Sequence, residues 1–244
     1  MLAPSSDVAF TRTVKAIQAR KLSRASYRKM EEDGGWQTII TPDLAAFVAE
    51  QRSIFLATAN AEGQPYIQHR GGPPGFLHVL DEHTLAFADF KGNRQYITQG
   101  NLEDNPKAYL FLIDYINRRR IKIWGTAQVI EGDAALTDRL MPEGYKARPE
   151  QVILFTVLAW GENCQQHIPQ RIEAADVAAA LKQRDDRIAA LEVKSLACGH
   201  RNGKGTCSSP PKPTTPRMSG RCRRFTTPTA GPTGCRSCRL CGTP

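Results

Sequence analysis

The chain has no apolar run approaching the ~20 residues that a membrane-spanning helix needs. Its opening segment, MLAPSSDVAFTRTVK, lacks the basic stretch followed by an apolar core that marks a secretory leader. Both absences lead us to expect a cytoplasmic protein. Residues 1–194 also lack any charge excess: all 24 acidic residues and 24 of the 33 basic ones fall there. They lack cysteine too, apart from Cys164. The net charge of +9 therefore belongs to residues 195–244, which hold nine Lys or Arg, no Asp or Glu, and the other six of seven cysteines. A basic total confined to one end says nothing about what the main body binds, so a nucleic-acid reading rests on that end alone.

That last segment is rich in Pro, Thr, Gly, Arg and Cys and has almost no aliphatic residues. Such a composition cannot bury enough apolar area to offset its ordering entropy, and predicts a disordered basic tail over 195–244. Cys235, Cys238 and Cys241 share C-x2-C-x2-C spacing, with Cys222 as a conceivable fourth zinc ligand. The apolar support and paired spacing usual at such sites are missing.

What remains suits one sizeable domain with an N-terminal extension. Residues 1–50 read as a helical extension. Val14, Ile17 and Leu22 anchor one or two helices, Gly34-Gly35 breaks them, and Thr41-Pro42 caps a short helix, DLAAFVAEQ. From Ser53 the pattern turns to strands: SIFLATA, PYIQHR, FLHVL and TLAFA. AYLFLIDY, apolar on both faces, predicts a buried central strand. RRIKIWGTAQVI alternates, with Ile121, Ile123, Ala127 and Val129 on one face and Arg120, Lys122, Trp124, Thr126 and Gln128 on the other. EQVILFTVLAW is the last strand, and 173–194 carries a helical stripe of Val177, Leu181, Ile188 and Leu191. Strands in hairpin order with helices at the edges predict a mainly β fold over 51–194, a closed antiparallel barrel with a C-terminal helix. No internal repeat is present.

Two places interrupt this pattern. In IQHRGGPPGF a strand ends on His69 and Arg70 and gives way to Gly71 and Gly72, nearly bare backbone beside a cation. After TLAFAD comes FKGNRQYITQGNL, where Gly92-Asn93 reads as a helix start ending at Gly100, flanked by Lys91 and Arg94. Unpaired N–H groups and a guanidinium suit a phosphate. Gly-Asn-Arg is also a common helix cap, and Arg120 and Lys122 fit an ordinary solvated face. Taken together, however, the three cationic places match a ligand with a broad ring at one end and a phosphate at the other.

The run from FLATANAEGQPYIQHRGG to NLEDNPKAYLFLIDY resembles the pyridoxamine 5'-phosphate oxidase-like family of FMN-binding split barrels. LAWGENCQQHIPQRI is similar to the Asn-Cys-Pro-Gln-His segment of one bacterial branch, with Gln165 in place of the proline. The resemblance spans roughly residues 10 to 192. It implies a six-stranded antiparallel split barrel that forms a homodimer, with FMN at each end of the subunit interface. The family's ring-contacting Gln-Pro-Tyr-x-Arg matches Gln64-Pro65-Tyr66, with Gln68 at the arginine position and Arg70 two residues on. Its phosphate-binding Ser-Arg-Lys matches Asn93, Arg94 and Gln95. Ala88 and Asp89 match two further contact positions, and a glutamine supplied by the partner subunit aligns with Arg120. Gln166 and His167 follow from the bacterial segment, His167 as a proton donor or ring contact; Cys164 beside them reads as a buried structural thiol. The oxidases' C-terminal Trp and Arg segment has no counterpart after Trp160, so a vitamin B6 substrate is not implied.

The resulting expectation is a cytoplasmic, homodimeric FMN-dependent oxidoreductase with the cofactor held by Gln68, His69, Arg70, Gly71, Gly72, Ala88, Asp89, Lys91, Asn93, Arg94, Gln95, Arg120, Lys122, Gln166 and His167. The same fold family also binds deazaflavin and haem, and no general acid or base stands out. A flavin- or haem-binding carrier or sensor without turnover is the alternative.

Overall fold

The computed structural model describes residues 3–199. The expected tail, with Cys222, Cys235, Cys238 and Cys241, lies outside the described residues. The described chain divides into two compact units, one through Gln170 and one from Arg171 onward.

The first unit begins with a single 3-10 turn, Ser5–Val8, then α1 (Arg12–Arg20) and α2 (Arg24–Glu32). Thr11 starts α1 by accepting a hydrogen bond from the Val14 N–H at 3.2 Å. Gly34 (φ 107°) and Gly35 (φ 71°) end α2 in the left-handed region that other residues avoid. Between the helices Glu31 is ion-paired with Arg24 and Lys15 and receives the Ser6 hydroxyl. The Arg24 hydrogen bond is the main reason its carboxyl stays below the usual range. Phe10 packs on Tyr27 and Trp36, tying the extension to the segment that enters the barrel. In α3 (Pro42–Ala49) the Thr41 side chain caps the Leu44 N–H and Pro42 takes the first turn, as the sequence indicates.

Seven strands follow: β1 (Ser53–Ala59), β2 (Pro65–Gly71), β3 (His78–Val79), β4 (Thr84–Phe90), β5 (Lys107–Asp114), β6 (Arg119–Ile130) and β7 (Pro149–Glu162). They form one antiparallel sheet in the order β2-β1-β5-β6-β7-β4-β3. The fold is mainly β with flanking helices, six full strands and one two-residue strand. Among the described residues no ladder joins β2 to β3, so the fold is the split barrel that the family resemblance implies and not the closed one that hairpin order suggests. The sheet nonetheless curls enough for β2 to reach β4: Arg70 Nε lies 3.0 Å from Asp89 Oδ1. α4 (Ile97–Asp104) packs on β1, β2 and β6, with Thr98 donating to Gln68 and buried Asn101 donating to Thr58.

The main core joins Ile54 and Leu56, Leu110 and Leu112, Ile121 and Ile123, Phe87 and Phe155 with Leu44, Phe47 and Val48 of α3. A smaller cluster sits behind β4 and β7, where Ala86, Ala88 and Val152 meet Leu140 of α5 (Ala134–Leu140). It is β4, therefore, that is buried on both faces. The reading of AYLFLIDY as doubly buried is corrected: β5 alternates, with Leu110 and Leu112 inside and Tyr109 and Phe111 half-exposed outside. Aromatic rings on a one-sided strand look in sequence like a second core face.

The second unit contains α6 (Ala174–Gly199). Its described side chains are exposed throughout.

Candidate functional site

Period-two alternation sorts the predicted residues. On β2, Gln68 and Arg70 pair in register with the buried Leu56 and Ile54 and share their inward face. His69 lies opposite Phe55 on the outer face, its Nε2 2.7 Å from Ser53 Oγ. Across the split, Asp89 of β4 sits opposite Gln151 of β7. Gln151 Nε2 donates to Asp89 Oδ2 at 3.1 Å, and an Arg70 terminal nitrogen reaches the same oxygen at 3.4 Å. Asp89 is buried, and this desolvation pushes its carboxyl above the usual range despite the opposing charge of Arg70. Gln151 Oε1 is buried there with no partner among the described residues.

This charged floor opens into a cleft whose rim is the loop after β4, with Gly92, Asn93, Arg94 and Gln95. The loop is not the helix start the sequence suggests. Asn93 Oδ1 accepts from the Gln95 N–H, Arg94 and Tyr96 adopt positive φ, and the helix begins at Ile97 and runs through Gly100. Arg94 is exposed, its Nε donating to the Tyr96 hydroxyl at 2.7 Å; that hydroxyl in turn donates to Glu150 at 2.9 Å. The Tyr96 contact, then the charge of Glu150, raise the guanidinium's already high pKa. Lys91 is exposed and does not line the cleft.

The glycines divide by cause. A Cβ at Gly72 would stand 2.6 Å from Phe76 Cβ, and one at Gly71 would stand 2.9 Å from the Arg52 carbonyl oxygen. Both are required by packing within the chain, which accounts for the bare backbone after Arg70. Gly92 has no such cause: its nearest neighbour to an added Cβ is a carbonyl oxygen at 4.0 Å. Ala88 faces α5, behind the strand that carries Asp89.

The remaining predicted residues lie apart from the cleft. Arg120 and Lys122 are on the outer face of β6, opposite Ile113 and Phe111. Trp36 and Trp124 stack with ring centroids 4.4 Å apart and planes 9° apart, and Lys122 Nζ lies 5.3 and 5.2 Å from their centroids. Burial there, reinforced by the charge of Arg120, lowers the Lys122 pKa. Burial also pushes neighbouring Tyr109 up to about 12. Arg120 Nε is buried without a hydrogen-bond partner among the described residues. The Arg120 carbonyl accepts from the Asn163 N–H, so the segment with half-buried Cys164 and exposed Gln166 and His167 begins beside it.

Sequence reading missed Tyr96, Thr98, Glu150 and Gln151, which line the cleft, and Trp36, which covers Lys122. Only Gln151 carried a usable signal, a polar residue in phase with the inward Ile153 and Phe155. The others depend on a loop's path or on contacts distant in sequence.

Residues 40–164, about half of the chain, match the sequence profile of pyridoxamine 5'-phosphate oxidase. The chain belongs to the pyridoxamine 5'-phosphate oxidase-like family. No curated protein matches it. Similar solved structures include HupZ of Group A Streptococcus, at 20% identity over 55% of this chain and 99% of that one, with a TM-score of 0.43. A protein of Lactobacillus delbrueckii provisionally assigned as a pyridoxamine 5'-phosphate oxidase is 21% identical over 51% and 95%, at 0.39. HutZ, a heme storage protein of Vibrio cholerae, is 17% identical over 51% and 93%, at 0.34. Each is a resemblance at a TM-score below 0.5, and none transfers a ligand or an activity.

Proposed function

We propose that the cleft binds FMN and that the chain is an FMN-dependent oxidoreductase acting as a homodimer. The observation that carries this reading is the meeting of two separate segments in one cleft: Gln68 and Arg70 from β2, and the Gly92–Gln95 loop from beyond β4. The residues fit such a ligand. Gly92 leaves open backbone that no internal contact requires, and the exposed Arg94 offers its terminal nitrogens for a charge-assisted, two-pronged phosphate contact. Asn93 and Gln95 add polar groups at the same rim. Gln68 and Arg70 would meet the ring end, where a cation favours the reduced, anionic ring. Bound flavin supplies hydride transfer at its N5, and the chain supplies orientation and charge. Gly71 and Gly72 are left out of this assignment because internal packing explains them.

The dimer proposal has its own support. Phe55, Phe111, Tyr109 and Trp124 form a half-exposed aromatic band on the outer face of β1, β5 and β6, the kind of surface that a partner covers. Arg120, Lys122, Gln166 and His167 stand on or beside that face, and a second subunit would bring them to its neighbour's cleft.

A carrier without turnover is the second reading. The carboxylates of the cleft are engaged, Asp89 with Arg70 and Glu150 with Tyr96 and Arg94, which leaves no unengaged carboxylate for acid–base work. None of the described histidines lines the cleft within one chain, and His167 would reach it only from a second subunit. Identifying the small molecule released on denaturation tests the assignment. FMN is expected, and haem or no ligand overturns it. Bleaching of the bound flavin by a nicotinamide donor separates enzyme from carrier.

A further inference from the structure

We infer that α6 is a parallel coiled-coil element that pairs with α6 of a second copy of this chain. Its apolar residues keep a 3-4 spacing, Val177, Leu181, Ile188 and Leu191, with Arg184 in the one intervening seam position. These four side chains are between 43 and 55% exposed. A helix whose apolar seam is open to water is marginal by itself and draws its stability from burying that seam.

The flanking charges choose the occupant. In heptad terms the residues just after the d positions are Ala178, Asp185 and Glu192, and those just before the a positions include Ala180 and Arg187, with Lys194 in phase; every charged one in the first set is acidic and every charged one in the second is basic. Two parallel copies set Arg187 of each helix against Glu192 of the other. An antiparallel pair would instead place acid beside acid and base beside base along both flanks. The sequence is thus self-complementary in the parallel sense and self-repelling in the antiparallel one. Arg184 in the seam costs stability, but its long stem can lie along the apolar stripe with the charge outside. A parallel pair has a two-fold axis along its length, the closed symmetry of a homodimer.

This inference is independent of the flavin reading and of the aromatic band on the barrel. Its test follows backbone hydrogen exchange of residues 177–191 in the full-length protein, together with the dimer dissociation constant on dilution. Wild-type α6 should show protection that rises with protein concentration. Ile188→Glu should speed its exchange at least about tenfold by charging the seam. Arg187→Glu should weaken pairing on the order of tenfold, since two attractive contacts per dimer become repulsive. Arg187→Glu with Glu192→Arg should return both readings to within about twofold of wild type. Wild-type exchange as fast as that of Ile188→Glu would overturn the proposal even if the protein remained dimeric through the barrel. Tighter pairing in Arg187→Glu would overturn it as well, because relief at that position marks an antiparallel or unrelated contact.

Discussion

At the scale of single side chains, the proposed FMN site can be tested one contact at a time. Arg94 is the proposed phosphate contact, so Arg94→Ala should lower FMN affinity roughly ten- to a hundredfold. Riboflavin, with the same ring and no phosphate, should be nearly unaffected in titrations followed by flavin fluorescence. Tyr96→Phe removes the hydroxyl that fixes Arg94 Nε and should give a smaller loss with the same selectivity for FMN. Equal weakening of both ligands would assign these residues to folding instead. Asp89 sets a pH dependence of definite sign. Its folded pKa is raised by burial, so the folded chain takes up the proton more readily than the unfolded one. The stabilisation is fully present below the ordinary carboxylate pKa and is lost as pH rises through the raised value. Relative to Asp89→Asn, the wild type should therefore gain stability between neutral pH and about pH 4, measured by urea midpoints at each pH. Arg94 was visible in sequence because Gly-Asn-Arg is a local pattern. Tyr96 and Glu150 were not, since 54 residues separate the partners of that hydrogen bond.

At the level of elements, glycines that look alike in sequence have opposite roles. Gly125 lies at the bulge where β6 shifts register against β7, and an added Cβ would come within 2.1 Å of the Thr156 carbonyl oxygen. Gly125→Ala should destabilise the fold by about 1–3 kcal/mol or more. Gly100 sits inside α4 with nothing within 4 Å of an added Cβ, so Gly100→Ala should stabilise by about 0.5–1 kcal/mol. Thermal melts of the two variants should move in opposite directions. The same contrast shows why some elements were legible. β1, β2, β6 and α3 follow from alternation or a Thr-Pro cap. α4 was misplaced because Asn93 uses its side chain on the Gln95 N–H rather than on a helix, and Gly100 looked like a terminus. α5 went unread: its Asp133 cap on Leu136 is real, but seven residues make too short a periodic signal. Of FLHVL only two residues pair as a strand, since Phe76 and Leu77 go into the core as a loop.

For the whole molecule, alternation made the strand complement readable but not the closure, and the split came only from the family resemblance. Alternation reports which residues face inward, whereas the joining of β2 to β4 through Arg70 and Asp89 is a contact between side chains 19 residues apart. The candidate site inherits that division. Its two halves lie on different strands, and several predicted members, Arg120 and Lys122 among them, stand on the opposite face of the sheet, where they would serve a cleft only in the proposed dimer. A monomer by light scattering that still held one flavin per chain would refute the dimer and leave Arg120 and Lys122 without a role at the cleft. A dimer whose flavin content falls in Lys122→Ala, with Arg94→Ala losing flavin as well, would support contributions from both faces.

The stacked Trp36 and Trp124 give the protein an optical signature. Two indoles stacked 4.4 Å apart with planes 9° from parallel are close enough to couple their excited states, so a far-ultraviolet circular-dichroism couplet and quenched emission from the pair are the expected outcomes in the folded protein. Trp160, hydrogen-bonded to the Ile39 carbonyl, stands outside the stack and supplies a background signal. Because one partner belongs to the segment leading from the N-terminal helices and the other to β6, the couplet measures whether that segment is seated on the sheet. Its amplitude makes the cover over Lys122 observable in the unlabelled protein, on the same sample and in the same cuvette as a ligand titration.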